Sequence, residues 1–82
     1  MSVAMDSNIS TIYVNLLDEG LTVLRPTQGL QLGVNEYKLL PPTDYDPDDE
    51  HWEFPPGSIV RCDREERDGE MIQVARELVT DE

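Results

Sequence analysis

Scarcity marks this chain of 82 residues, which holds one Cys, one His, one Trp and one Phe. A lone cysteine cannot build an internal disulfide framework, so a reducing, cytoplasmic setting is the expectation. One His with one Cys falls short of the three or four nitrogen and sulfur ligands that a zinc site needs within one subunit. No apolar run approaches the roughly 18 residues of a membrane span. The opening Met1-Ser2-Val3-Ala4-Met5-Asp6-Ser7 lacks the basic region and apolar block of a secretory signal. The five glycines (Gly20, Gly29, Gly33, Gly57 and Gly69) are scattered, so no glycine-rich phosphate loop exists, and neither G-x-S-x-G nor H-E-x-x-H occurs. A domain this short also leaves little room for a buried pocket of about 300 Å³ or more. A non-enzyme without a cofactor is expected.

Basic residues are equally few. Six Lys and Arg face 18 Asp and Glu, for a net charge of −12. Direct nucleic-acid binding is disfavoured, because that affinity comes largely from cations neutralising phosphates. An anionic membrane surface is disfavoured for the same reason. Such acidity suits solubility, a protein partner with a basic surface, or occupation of a nucleic-acid site by charge mimicry. The length fits one domain. Residues 1–8, small and polar, read as a disordered terminus, and 9–80 as a single small β domain.

What is present is organised around Trp52-Glu53-Phe54-Pro55-Pro56-Gly57-Ser58-Ile59-Val60-Arg61-Cys62. Adjacent prolines exclude a helix interior or a central strand there. Pro56-Gly57 suits the middle of a type II turn, where glycine supplies the positive φ. The β-branched run after it reads as a strand. Trp52 and Phe54, two apart, share a face in extended chain. Together with Gly57, Val60 and Cys62 they form the expected structural core.

Elsewhere the pattern is one of short strands. Ile12, Val14 and Leu16 alternate, Asp18-Glu19-Gly20 marks a turn, and Leu21–Arg25 resumes the alternation, giving a hairpin with a three-residue connection. Pro26 either ends that second strand or places it at an edge. Gly29 suggests a bend, Gly33-Val34-Asn35 a turn, and Glu36–Leu40 a third strand closed by Pro41-Pro42. Residues 63–70 read as a charged connection, with Asp68-Gly69 a good turn pair. Met71–Val79 fits a strand with Ile72 and Val74 inward. A C-terminal helix with Met71, Ala75, Leu78 and Val79 on one face is the alternative. The sum is an all-β fold, a small five-stranded, SH3-like or related, partly open barrel.

The acidic loop over 43–51 is the main site candidate. Asp44, Asp46 and Asp48 alternate, as carboxylates converging on a hard cation do, which makes them a weak divalent-metal candidate. The EF-hand pattern nevertheless fails, since Asp49 and Pro55 stand where glycine and glutamate are needed. With Asp49 and Glu50, the same residues are the candidate partner-binding set. His51 and Cys62 could pair as base and nucleophile, but Cys62 falls in a core strand where an inert thiol is the commoner outcome. Arg25 and Arg61, single cations on strands of an acidic protein, fit structural ion pairs that fix loops.

At Leu16-Leu17-Asp18-Glu19-Gly20, Val23 and Arg25-Pro26, and again at Trp52 to Cys62, the chain resembles a family of short, uncharacterised bacterial proteins. Their motifs are of the type L-L-(D/E)-E-G-x-x-V-(W)-R-P and W-x-F-x-P-G-S-x-V-R-C. Leu24 departs from the pattern, where an aromatic residue is usual. The resemblance implies a bacterial, cytoplasmic, single small domain and supplies no activity. It also implies that Arg25-Pro26 and Arg61 converge with Trp52 and Phe54, with Arg25 coupled to Glu53. The functional expectation is a non-enzymatic acidic protein-interaction module. A nucleic-acid-mimicking inhibitor and a weak divalent-metal-binding protein are the alternatives.

Overall fold

Alternation of apolar residues along Ile9–Asn15 (β1) sends Ile12 and Val14 fully inside, because side chains two apart share one face of a strand. The computed structural model describes residues 8–80. Further strands follow at Leu24–Gly33 (β2), Glu36–Leu39 (β3), Ile59–Arg67 (β4) and Glu70–Thr80 (β5). They close in the order β1-β2-β3-β4-β5, with no helix among the described residues. This is the arrangement of a small SH3-like barrel. All seams are antiparallel except the closing one, where β1 and β5 run parallel and pair only at Ile12–Gln73 and Tyr13–Val74. Of the expected disordered terminus, residues 1–7 lie outside the described residues, while Asn8 is an exposed residue leading into β1.

The core is Ile12, Val14, Tyr37, Leu39, Trp52, Val60, Cys62 and Ala75, with Leu16, Tyr45 and Phe54 packed against it. Trp52 is buried, whereas Phe54 is only half-buried. The segment carrying both rings is irregular, and its one ladder contact is the bridge from Trp52 to Leu16. Two prolines after Phe54 prevent the segment from continuing as a strand. Pro56-Gly57 makes the expected turn: Gly57 has φ 96° and the Ser58 N–H donates to the Pro55 carbonyl at 3.1 Å.

Three boundaries differ from the sequence reading. The β1–β2 connection runs over residues 16–23 rather than three residues. Asp18 and Gly20 both adopt positive φ, which opens the turn. Leu16 keeps one bond across the hairpin, to the Val23 carbonyl at 2.9 Å, while bridging Trp52 on its other side. Second, β2 passes straight through Pro26, which pairs with Tyr13 on one side. On the other side β3 joins only from Gly29, so the missing N–H falls on an unpaired edge, as proline in a strand requires. Third, the charged run is strand, not connection. Residues 63–67 pair with 70–74, and only Asp68-Gly69 turns, with φ 53° and 86°. Two positive φ values identify the tight hairpin turn whose twist matches its strands.

The last segment is strand throughout, which excludes the helical alternative. Val74 is fully buried, as expected, and Ile72 half-buried; Ala75 is buried as well. Register shifts between Arg61 and Cys62 and between Ile59 and Val60 change the inward phase, since a bulge places two residues opposite one. On the outer surface Arg61 donates to Glu77 at 2.9 Å and to Glu36 at 3.1 Å, tying β3, β4 and β5 together. Arg76 and Arg67 both bind Glu65. The Arg76 bond foremost, then Arg67, holds the Glu65 carboxyl below its ordinary range. That support is present above the ordinary carboxylate range and is lost as pH falls through the lowered value.

Candidate functional site

Arg25 organises the loop that carries the candidate residues. It extends from β2 and donates through Nε to Glu50 Oε1 at 3.1 Å and through Nη2 to Asp44 Oδ1 at 2.8 Å. Burial opposes its charge, yet the hydrogen bonds and fields of Asp44 and Glu50 leave its pKa raised. Glu50 Oε1 also accepts from Trp52 Nε1 at 2.9 Å. One carboxylate oxygen therefore joins a strand cation to the core indole. Tyr45 seals the same place, its ring meeting Trp52 edge to face with centroids 5.0 Å apart at 71°. Arg25 thus reaches Trp52 through Glu50, not through the Glu53 expected above. The Glu53 backbone N–H goes to Asn15 O, and Arg61 binds Glu36 and Glu77 instead.

The expected metal candidates are divided among separate tasks. Asp44 is held by Arg25, and Asp46 Oδ1 accepts the Asp48 backbone N–H at 2.9 Å, which folds the loop on itself. Among the described residues, no three His, Cys, Asp or Glu side chains converge as a metal set. Asp48, Asp49 and Glu50 instead gather with Asp18, Glu19, Leu17 and His51 around a shallow cup of about 160 Å³. His51 Nδ1 lies 2.8 Å from Asp18 Oδ2, and Leu17 N–H donates to the His51 carbonyl at 2.7 Å, so the two loops are fastened edge to edge.

Asp18 and Glu19 are the members of this cup that the sequence reading left out. Their turn and the 43–51 loop are brought together by the Leu16–Trp52 bridge, a non-local contact with no local signature. The candidate partner residues split accordingly. Asp48, Asp49 and Glu50 line the cup, while Asp44 and Asp46 stabilise the loop behind it.

His51 and Cys62 do not meet. His51 is exposed beside Asp18, and Cys62 is buried in β4. Desolvation, and secondarily the charge of Asp63, pushes the Cys62 thiol from 9.0 to about 11. The folded chain therefore holds this proton more tightly than the unfolded chain. Its stabilising contribution is complete below pH 9 and is lost as pH rises through about 11, an effect of up to ~3 kcal/mol. Urea midpoints at pH 8 and pH 11 should fall further apart for the parent than for Cys62→Ala; equal falls in both proteins would contradict this.

Two other grooves open on the surface. One, lined by Thr11, Pro26, Thr27, Gln28, Pro41, Pro42 and Thr43, carries no charge. The other lies between Tyr13, Leu24 and the β4–β5 hairpin at Arg67, Glu70 and Ile72. Neither groove is lined by His51 or Cys62. No protein family, curated protein or solved structure matches this chain.

Proposed function

We propose that this chain is a non-enzymatic, acidic protein-interaction module that offers the cup between its two loops to a basic partner. One observation carries the reading. Asp18, Glu19, Asp48, Asp49 and Glu50 come from turns far apart in sequence yet surround one concavity. Glu50 is the member of this group already bonded to Arg25 and Trp52, which leaves the other four carboxylates, Asp18 beside His51 among them, to face a partner. Carboxylates gathered on a strongly acidic body attract a basic surface over a long range and speed the encounter.

Charge mimicry of nucleic acid requires carboxylates at phosphate-like intervals along one face. Along β4 and β5 the acidic residues are interrupted by Arg64, Arg67 and Arg76, and Glu65 is already bonded to two of these. That pattern favours the protein-binding reading.

The test uses a lysine-rich synthetic peptide at low and moderate salt. The triple variant Asp18→Asn, Asp48→Asn, Asp49→Asn should bind at least about tenfold more weakly at low salt, with the difference shrinking as salt screens it. Equal affinity of parent and variant at low salt would remove the cup from the function.

A further inference from the structure

The barrel closes unevenly. β5 runs to Thr80, but β1 accompanies it only at Gln73 and Val74. Beyond that point β1 turns to the 51–53 segment, where Asn15 O accepts the Glu53 N–H and the Leu17 N–H reaches the His51 carbonyl. From Arg76 to Thr80, β5 has β4 on one side and, among the described residues, no backbone partner on the other. An edge of this kind presents a row of free N–H and C=O groups ready to pair with another strand.

The side chains record the same gap. Val60 on β4 is fully buried, yet Leu78, directly opposite it on β5, is 46 % exposed. Cross-strand partners lie on the same face, so Leu78 belongs to the inner face and lacks cover where an outer neighbour is missing. Val79 beside it is 40 % exposed.

We propose that the Arg76–Thr80 edge of β5 receives an extended segment of a partner protein, alternating apolar and basic residues, by strand addition. The basic character rests on the acidic-module reading above, and the extended apolar character on the edge itself. A second copy of this chain is disfavoured, since each copy carries −12. At the edge itself Arg76 is bonded to Glu65 and Glu77 is half of an exposed pair with Arg61, so attraction for a basic segment comes from the acidic body as a whole. The register shifts opposite this stretch bend it, so the added strand is short. Main-chain bonds would supply affinity, and apolar cover over Leu78 the selectivity.

The test uses the full chain with two synthetic hexapeptides of equal charge, one alternating Lys and Val, the other alternating Lys and Pro. Proline cannot donate to a ladder, so the second peptide measures charge attraction alone. The Lys-Val peptide should bind at least about tenfold tighter and slow amide exchange between residues 76 and 80. Leu78→Glu should erase that preference even though it adds a negative charge; Leu78→Thr serves the same purpose if glutamate unfolds the barrel. Equal binding of both peptides, with changes confined to the cup, would overturn strand addition and leave the acidic-module reading standing. Failure of both peptides to bind would remove both readings. Protection of these amides without peptide, in a chain that sediments as a dimer, would give the edge to a second copy and overturn the proposal.

Discussion

Alanine at position 52 should lower the unfolding free energy by about 3–5 kcal/mol, the range for emptying a buried aromatic site. A domain of this size has roughly 5–15 kcal/mol in total, so much of the population would unfold on mild warming. The indole carries three links at once. It fills the core with Val14 and Leu39, it bridges the irregular segment to Leu16, and it donates to the Glu50 oxygen that Arg25 also holds. Loss of the ring therefore loosens the acidic loop as well as the core. Trp52→Phe separates the two effects. It keeps most of the apolar volume but removes the N–H, which should cost about 1 kcal/mol plus some unfilled space. Glu50 remains bonded to Arg25 in that variant, so its carboxylate is not stranded. Urea unfolding followed by circular dichroism measures all three proteins. An alanine variant within about 1 kcal/mol of the parent would mean that Trp52 does not hold the core and the acidic loop together.

Much of this arrangement can be read from residues with one physical use. Asp68-Gly69 and Pro56-Gly57 announce their turns because few residues adopt their backbone angles. Alternation along Ile12 and Val14 announces β1. The strand at the C-terminus follows from the turn that feeds it. The β4–β5 hairpin tip is a different case. Residues 63–67 and 70–73 are almost entirely exposed or half-buried, and a ribbon wetted on both faces has no apolar period to betray it. The same limit applies to Pro26, whose tolerance inside β2 depends on where β3 begins. The cup is the least legible feature. Its acidic residues are visible one by one, but the contacts that gather them, the Leu16–Trp52 bridge and the His51–Asp18 pair, are non-local. Arg25 shows the intermediate case. An ion pair is foreseeable for a lone cation among carboxylates, while the choice of Asp44 and Glu50 over Glu53 follows only from the path of the loop.

Gly29 should prove sensitive as well, though less so than Trp52, for want of space rather than for backbone freedom. Its φ is not in the left-handed region, so another residue could adopt its conformation. A Cβ there would lie 2.6 Å from Ile12 Cγ1 and 3.2 Å from Tyr37 Cβ. Both neighbours sit in the core, and Cγ1 is close to the backbone, so neither can swing aside freely. Overpacking of this kind costs about 1–3 kcal/mol for Gly29→Ala, and more for Gly29→Val. Ile12→Ala alone leaves a cavity and should cost about 2–5 kcal/mol. Combined, the two changes partly cancel, because removing Cγ1 vacates the volume that the new methyl needs. The double variant should therefore be more stable than the sum of the single effects by about 1 kcal/mol or more, the signature of side chains competing for one space. Urea unfolding of the four proteins closes the cycle. Strict additivity would show that the barrel relaxes around position 29 and that close approach of β1, β2 and β3 at this glycine does not constrain the fold.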